Sequence, residues 1–215
     1  GFVVDPDVDR LAIVMENGEM FVEEYTLVAI ADYVLSHTPG ATVSNLSSSR
    51  ALRDVTQAHG CSYKASAVGE VNVVSLMKET GAIIGGEGNG GVIYPEAHYG
   101  RDALVGVALF LTLLAKSGES VSELKKTYPQ YQISKNKIEL TPEINVDALL
   151  EAVKRHYSNE QINDIDGVKI DFADSWVHLR KSNTEPIIRI YAEASTAELA
   201  SQLAQNVKDV ISSLV

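Results

Sequence analysis

Helical and extended segments alternate through the first 130 residues, and glycine ends several of the helical segments. Apolar residues fall at helical spacing from Leu27 to Leu35, and the helical segments 50–59 and 71–80 stop at Gly60 and Gly81. Short apolar segments follow these helices, at 42–46, near 61 and at 82–84. Strands that are separated by helices are typical of a sheet with parallel neighbours. The sequence therefore predicts an α/β domain with substantial parallel pairing.

The last third of the chain has a different order of elements. Helical spacing at 146–157 precedes three extended segments, at 168–172, 176–180 and 187–193. A final helix then opens with Ser195-x-x-Glu198, the pattern of a capping box. A helix, a meander of strands and a second helix are typical of an α+β domain.

The fold class predicted from these patterns is a mixed-sheet α/β domain followed by a smaller α+β domain, preceded by the last strands of a truncated α/β domain. The predicted boundaries are 1–22, 23–133 and 134–215. The segment 103–116 is apolar on nearly every face, so we expect a helix buried in the centre of the middle domain. The chain opens with a strand that leads directly into an acidic turn, which indicates a fragment of a longer protein.

Charge and cysteine content exclude several classes of function. The chain has 18 basic and 29 acidic residues, a net charge of −11, which opposes binding to nucleic acid or to an anionic membrane. The longest apolar stretch, 104–115, is shorter than the roughly 20 residues that a membrane span needs. Cys61 is the one cysteine, so an intrachain disulfide is impossible. We expect a cytoplasmic protein with neither a membrane nor a nucleic acid as its partner.

The first loop whose side chains could bind a ligand is Asp5-Pro-Asp-Val-Asp-Arg10. Three carboxylates at alternate positions can converge on one hard cation, and oxygen ligands of this kind suit Mg²⁺ or Ca²⁺. An EF-hand loop is disfavoured because Arg10 stands at the position that requires glycine and both flanks read as strands. A phosphatase-type nucleophile at Asp5 and a plain solvated turn remain as alternatives.

The second loop is the glycine-rich segment 85–91, which contains Glu87 and Asn89. Glycines allow the backbone to approach a ligand closely, and these two side chains can bind hydroxyl groups. The spacing is not that of a dinucleotide-binding motif. A glycine-rich turn without function is the alternative.

The third loop, Arg180-Lys-Ser-Asn-Thr-Glu-Pro-Ile-Ile-Arg189, lies between two predicted strands. Its guanidinium, hydroxyl and amide groups suit a phosphate, and the segment 176–191 carries a local charge of +2 from three basic residues and one acid. A surface hairpin with scattered charges is the alternative. Taken together, the three loops predict a phosphorylated sugar bound in a cleft between them.

The three motifs DPDVDR, GEGNGG and RKSNTEPIIR, in this order, resemble the metal, sugar and phosphate loops of the α-D-phosphohexomutase family, in its phosphoglucomutase/phosphomannomutase branch. The resemblance runs through the whole chain. It implies four domains around a deep cleft and a phosphoserine in the first domain. That serine exchanges its phosphoryl group with a hexose phosphate through a bisphosphosugar, converting hexose 1-phosphate and 6-phosphate of glucose or mannose into each other.

The resemblance also implies a role for each site residue. Mg²⁺ is the implied cofactor, held by Asp5, Asp7 and Asp9, and Arg10 lies beside the transferring group. Sugar hydroxyls are implied to bind at the loop of Glu87, Gly88 and Asn89. The non-reacting phosphate is implied to bind the set Arg180, Ser182, Asn183, Thr184 and Arg189.

Two departures from the family pattern limit what the chain can do. The phosphoserine motif is absent, since the serine run 47–49 lacks the accompanying histidine. We therefore expect that the missing N-terminal domains of the same protein are its partners and that the chain alone is inactive. Glu70 stands where some members have a histidine, which leaves the general acid/base open; an N-cap for a helix at Val71 is the favoured use of Glu70.

The substrate remains open at this point. Asn183 favours the glucose/mannose branch, whereas phosphoglucosamine is the alternative sugar. A non-catalytic module that binds phosphosugars is the alternative from outside the enzymes.

Overall fold

The structure, a computed structural model, describes residues 1–139, 145–182 and 185–214. It divides into two compact units, the first covering residues 1–130 and the second beginning at Tyr131. Each unit has its own sheet and core, and the order of elements confirms the predicted α/β domain followed by an α+β domain.

The first unit alternates strands and helices. Its elements are β1 (Phe2–Val4), β2 (Leu11–Ile13), α1 (Glu23–His37), β3 (Thr42–Asn45), α2 (Ala51–Ala58), β4 (Tyr63–Ser66), α3 (Glu70–Thr80), β5 (Ile84–Glu87), β6 (Gly91–Ile93), α4 (Ala103–Ser117) and α5 (Val121–Lys126). The main sheet has the order β4-β3-β5-β6, in which β3 is parallel to β4 and β5, and β6 is antiparallel to β5. Strands β1 and β2 form a separate antiparallel pair. The predicted parallel pairing is thus present.

The glycine-rich segment is shorter as a loop than the sequence predicts. Gly85 and Gly86 lie in strand β5, and only residues 88–90 form the turn to β6. A Cβ atom at Gly85 would lie 2.6 Å from Sδ of Met77 on α3, and one at Gly86 would lie 2.0 Å from the carbonyl oxygen of Gly91. The glycines therefore serve close packing of the strand as well as the turn.

Helix α4 corrects a second prediction. Only Ala103, Gly106, Phe110 and Leu113 of this helix are buried. Leu104 is 65% exposed, so the helix lies against the unit on one face instead of at its centre. Apolar composition on all faces did not reveal which face is covered. Within the described ranges, no helix is both long and apolar enough to cross a bilayer.

The second unit is an antiparallel sheet with two helices. Its elements are β7 (Gln132–Glu139), α6 (Val146–His156), β8 (Gln161–Asn163), β9 (Val168–Asp171), β10 (Trp176–Lys181), β11 (Ile187–Ala194) and α7 (Ala197–Leu214). The sheet order is β7-β11-β10-β9-β8, with every neighbouring pair antiparallel. Its core is built from alternate residues of the strands and one face of each helix, including Val153, Val177, Leu179, Ile190 and Val207. The sequence did not predict the short edge strand β8.

The N-terminus of α7 differs from the predicted capping box. The hydroxyl of Thr196, not that of Ser195, accepts a hydrogen bond from the backbone N–H of Leu199 at 3.2 Å. Leu199 is 54% exposed, whereas Ala200 and Ala204 are buried.

Candidate functional site

The acidic loop connects β1 to β2 and is closed by its own first carboxylate. Oδ1 of Asp5 accepts hydrogen bonds from the backbone N–H groups of Asp9 (3.1 Å) and Arg10 (3.2 Å). Val8 has a φ of 56°, in the left-handed region that a β-branched residue rarely adopts. The loop therefore holds Asp5 and Asp9 together at a cost in backbone strain.

The structure brings two of the three predicted metal ligands together. The neighbouring carboxylates of Asp5 and Asp9 interact, and burial together with Asp5 raises the pKa of Asp9. Desolvation raises the pKa of Asp5, but the backbone N–H groups of Arg10 and Asp9 lower it by more, so the net shift of this pKa is downward. Asp7 is exposed and makes no hydrogen bond or ion pair with a described residue. Accordingly, the described part of the chain contains no group of three metal-ligating side chains.

Arg10, the predicted neighbour of the transferring group, lies at the mouth of this loop. Its side chain is half exposed, and its Nε lies 3.8 Å from Oδ2 of Asp5 and 3.8 Å from Oδ1 of Asp9. It is therefore accessible to an anionic ligand and partly balances the two carboxylates.

Arg101 is the site residue that the sequence analysis missed. Its Nη1 donates to Oε2 of Glu87 at 2.7 Å, its Nη2 forms an ion pair with Asp9, and its Nε lies 3.6 Å from Oε2 of Glu70. Desolvation lowers the pKa of Arg101. The negative charges of Asp9, Glu87 and Glu70 raise it by more, so the net shift of this pKa is upward. One guanidinium thus joins the acidic loop to the glycine-rich segment. The one feature of the sequence that could have drawn attention to Arg101 is its position directly before Asp102, the N-cap of α4.

Glu87 is held from several sides. Oε1 accepts from Nδ2 of Asn45 at 2.7 Å and from the backbone N–H of Gly69 at 3.3 Å, while Oε2 accepts from Arg101. The side chain is only 6% exposed. Most of its acceptor capacity is therefore used within the protein, and Oε2 keeps one lone pair for a ligand.

The turn beyond Glu87 is fixed by the serine run that follows β3. The backbone N–H of Gly88 donates to Oγ of Ser48 at 3.0 Å, and Oδ1 of Asn89 accepts from the backbone N–H of Gly91 at 3.1 Å. The amide nitrogen of Asn89 has no partner among the described residues, so it is the available donor of this turn. Of the predicted hydroxyl-binding groups, Asn89 is the freer one.

Glu70 does not cap a helix at Val71, as the sequence analysis expected. It is itself the first residue of α3, and Gly69 occupies the N-cap position. Oε1 of Glu70 instead accepts from the backbone N–H of Arg101 at 2.8 Å. The expectation was wrong because the partner lies 31 positions away in the chain.

In the second unit, the predicted phosphate-binding arginines face each other. Arg180 on β10 and Arg189 on β11 are directly paired in the sheet register. Nε of Arg180 lies 3.8 Å from Oδ2 of Asp166, and Nη2 of Arg189 lies 3.2 Å from Oε2 of Glu185. Like charges directly opposite each other are unfavourable, and an anion between them relieves this repulsion.

The connection between β10 and β11 is described in part. Ser182 is buried, and its backbone N–H donates to the carbonyl oxygen of Ile187 at 2.9 Å. Asn183 and Thr184 lie outside the described residues. The predicted hydroxyl and amide contacts of these two residues therefore stay predictions.

His178 precedes Arg180 by two residues on the same face of β10. It is buried, its Nε2 donates to the carbonyl oxygen of Asp166 at 2.6 Å, and burial lowers its pKa to about 4. The ring is therefore neutral at pH 7 and holds the segment whose carboxylate pairs with Arg180. The sequence analysis did not single it out.

Two family models match most of the chain. Phosphoglucomutase/phosphomannomutase, alpha/beta/alpha domain III, matches residues 23–131, and the C-terminal domain of the same family matches residues 137–210. The chain belongs to the phosphoglucomutase/phosphomannomutase family. Members of this family are mutases, which move a phosphoryl group within one molecule.

Curated relatives in this family are about twice as long as the chain. It is 35% identical over 203 residues to a phosphoglucomutase/phosphomannomutase of Thermococcus kodakarensis, covering 94% of this chain and 44% of the relative. It is 32% identical over 216 residues to a phosphoglucosamine/phosphogalactosamine mutase of Sulfurisphaera tokodaii, covering 98% and 48%. The chain spans about half the length of the curated relatives it matches.

Solved structures share the fold. A phosphoglucomutase/phosphomannomutase family protein from Burkholderia thailandensis superposes with a TM-score of 0.84 at 24% identity, covering 99% of this chain and 46% of that one. An N-acetylphosphoglucosamine mutase from Aspergillus fumigatus, solved in complex with GlcNAc-6P and magnesium, superposes with a TM-score of 0.66 at 15% identity, covering 98% and 51%.

The acidic loop of this phosphoglucomutase/phosphomannomutase family member suits a hard cation chemically. Carboxylate oxygens are the ligands that Mg²⁺ prefers. Oδ1 of Asp9 is buried and has no hydrogen-bond partner among the described residues, so it can ligate an ion. With Asp7 turned to solvent, Asp5 and Asp9 form a suitable but incomplete donor set.

Proposed function

We propose that this chain is the C-terminal portion of a phosphohexomutase that interconverts hexose 1-phosphate and 6-phosphate of glucose or mannose through a phosphoserine and a bisphosphosugar. The observation that carries the proposal is the direct pairing of Arg180 with Arg189 in the family's C-terminal domain. Two cations held face to face on neighbouring strands are a preorganised receptor for a phosphate.

The residues of this chain bind and orient the substrate in this proposal. Arg180, Arg189 and the loop between them, with Ser182, Asn183 and Thr184, hold the phosphate that does not react. A remote anchor of this kind contributes binding energy to the positioning of the reacting phosphate. The segment Glu87, Gly88 and Asn89 binds sugar hydroxyls, with Asn89 as donor and Oε2 of Glu87 as acceptor.

The acidic loop serves the reacting phosphate. Asp5, Asp7 and Asp9 would hold Mg²⁺, which would neutralise negative charge on the transferring phosphoryl group. Arg10, which is half exposed, binds an oxygen of that phosphoryl group. Phosphoryl transfer depends mainly on positioning and charge neutralisation, and these residues supply both.

The chain alone is inactive in this proposal because the phosphoserine motif is absent. Residues 1–22 are assigned to the end of the preceding domain, 23–133 to the sugar-loop domain and 134–215 to the phosphate-binding domain. The match of the domain III model begins at residue 23, and the side chains of β1 are exposed, Val3 by 57%. Both observations support N-terminal domains of the same protein as the partner.

The single, free cysteine supports a cytoplasmic location.

Phosphoglucosamine is the second candidate substrate. Curated relatives of similar identity carry that activity in their names, including the one from Sulfurisphaera tokodaii. Asn183 favours glucose and mannose phosphates, but it lies outside the described residues, so an assay must decide between the sugars.

The test joins this chain to the N-terminal half of the Thermococcus kodakarensis relative, giving the joined protein. Conversion of glucose 1-phosphate, mannose 1-phosphate and glucosamine 1-phosphate is followed by ³¹P NMR in the presence of Mg²⁺. We expect conversion of the glucose or mannose ester by the joined protein, and none by this chain or by the N-terminal half alone. Conversion of glucosamine 1-phosphate only would favour the second candidate, and failure with all three esters would overturn the proposal.

The size of the endogenous protein distinguishes the mutase proposal from the alternative, a non-catalytic module that binds phosphosugars. A native product of 23.3 kDa, the mass of this chain, would favour the module. We expect a product about twice that size, as in the curated relatives.

A further inference from the structure

One guanidinium contacts carboxylates on three separate segments of the first unit. Arg101 pairs with Asp9 in the acidic loop, with Glu70 at the start of α3 and with Glu87 at the end of β5. Its side chain is 14% exposed. A mostly covered arginine with three acidic partners is poorly placed to bind a phosphate itself, because Nη1 and Nη2 are engaged by Glu87 and Asp9 and Nε lies beside Glu70 without a hydrogen bond.

The position of Arg101 is fixed by its backbone as well as by its side chain. Its backbone forms an isolated bridge with Ile93, and its N–H donates to Glu70 at 2.8 Å. Its side chain passes close over Gly91, where a Cβ atom would lie 2.4 Å from Cδ of Arg101. Arg101 is therefore held in place through both its backbone and its side chain.

The consequence for Asp9 is a division of labour between its two oxygens. Oδ2 is taken by Nη2 of Arg101, whereas Oδ1 is buried without a hydrogen bond from any described residue. Oδ1 lies on the side of Arg10, 3.8 Å from its Nε, and Arg10 in turn lies 3.8 Å from Asp5. Arg101 thus leaves one oxygen of Asp9 available beside the neighbouring carboxylate.

We propose that Arg101 is a positioning residue that orients Asp9 for a divalent cation and, through Glu87, ties the sugar loop to the same point. The inference rests on the proposed function for the identity of the ligands. Residues that hydrogen-bond a ligating carboxylate set its orientation, and their removal typically weakens metal binding by about 10- to 100-fold. Arg101 does not touch the cation or the sugar; it acts through Asp9 and Glu87.

The opposite role is physically possible and makes the proposal testable. A guanidinium on Asp9 also competes with a cation for negative charge. If competition dominates, removal of Arg101 strengthens cation binding. If positioning dominates, as we propose, removal weakens it.

The experiment titrates Mn²⁺ as a probe into this 215-residue chain and follows paramagnetic broadening of the backbone amides of residues 5–10 by NMR. The variants are Arg101→Gln, Arg101→Lys and, as a matched control, Arg53→Gln, which removes an arginine paired with Asp54 on α2 of the same unit. Amide spectra without Mn²⁺ report whether each variant is folded.

We expect the Mn²⁺ concentration at half-maximal broadening, the midpoint, to be at least tenfold higher for Arg101→Gln than for the wild type. The Arg53→Gln control should have the midpoint of the wild type. Arg101→Lys keeps the charge but not the forked geometry, and we expect an intermediate midpoint. If Arg101→Gln does not fold, the lysine variant carries the test, with a rise of about threefold or more. An unchanged or lower midpoint, or no broadening of these amides in the wild type, overturns the inference.

The titration uses no sugar and no turnover, so the two proposals fail separately. Loss of the Arg101 effect leaves the mutase proposal standing on the assay of the joined protein. Failure of that assay leaves the Mn²⁺ midpoints readable as they are.

Discussion

Arg180 and Arg189 occupy directly opposed positions on β10 and β11, and each is paired with a carboxylate from its own neighbourhood, Asp166 and Glu185. Both side chains are partly buried, Arg180 with 19% of its side chain exposed. These two ion pairs offset the repulsion between the arginines, and a phosphate that binds both arginines can take the place of the carboxylates.

Replacing Arg180 by alanine should weaken binding of glucose 6-phosphate to the joined protein. A hydrogen bond to a charged group contributes about 1.5–3 kcal/mol, so we expect a Kd about 10- to 150-fold higher in titration calorimetry. Lys181→Ala is the matched control, since this neighbouring side chain is exposed and should matter little. Equal affinities for wild type and Arg180→Ala would remove Arg180 from the site.

The fold was largely predictable because its signals are local. Gly81 adopts the left-handed conformation that ends α3, as its place after the helical segment indicated. The errors arose where tertiary packing decided. Nothing in the sequence around Leu104 shows which face of α4 is covered, and the strand character of Gly85 depends on Met77 from another element.

The candidate site was predictable only in its loops. Asp5, Glu87 and Arg180 stand in motifs, whereas Arg101 acquires its role from partners 14, 31 and 92 positions away. No periodicity or spacing in one sequence reports such a constellation. In the acidic turn, Asp5 and Asp9 lie together while Asp7 is exposed, so the prediction of three ligands stays a prediction for Asp7.

Gly88→Ala should destabilise the first unit through Glu24. A Cβ atom at Gly88 would lie 1.8 Å from Oε2 of Glu24, a buried carboxylate oxygen that accepts from the backbone N–H of Ser49 at 2.9 Å. Displacing this carboxylate leaves a buried donor unsatisfied, which costs about 1–3 kcal/mol of unfolding free energy. The measurement is hydrogen exchange of the amides in β5 and β6, which reports the local unfolding free energy.

Gly106→Ala is the matched control for this change. Gly106 lies within α4, and its added Cβ would be 3.3 Å from Cδ2 of Leu11, a contact that a flexible side chain can absorb. Alanine is favoured over glycine in a helix by about 0.5–1 kcal/mol, so this variant should be neutral or more stable. Equal losses in both variants would contradict the role assigned to Gly88.

Val8→Gly should stabilise the acidic loop. Val8 has a φ of 56°, and the left-handed region costs an L-residue about 1–2 kcal/mol. Glycine avoids this cost but gains freedom in the unfolded chain, so we expect a net increase in unfolding free energy of up to about 1 kcal/mol. Val71→Gly on the exposed face of α3 should instead lose about 0.5 kcal/mol. A loss of stability for Val8→Gly in urea unfolding would count against strain at this position.

His178 should make the second unit less stable at mildly acidic pH. Its pKa is lowered to about 4 by burial, with smaller contributions from the backbone hydrogen bond to Asp166, which raises it, and from the charges of Lys169 and Arg180, which lower it. The unfolded histidine has a pKa near 6.5. Below pH 6.5 the unfolded state therefore binds a proton that the folded state does not, so the stability present above pH 6.5 is lost as the pH falls towards 4. At pH 5 the loss is about 2 kcal/mol relative to pH 8.

Urea unfolding at pH 8 and pH 5 measures this difference, and the fluorescence of the single tryptophan, Trp176 on β10, reports the second unit. His178→Gln keeps a donor for Asp166 but removes the titration, so its stability should change less between the two pH values. His156→Gln, at the exposed end of α6, should retain the full wild-type difference. If His178→Gln loses as much stability at pH 5 as the wild type, another group is responsible and the neutral buried imidazole is not the source of the acid sensitivity.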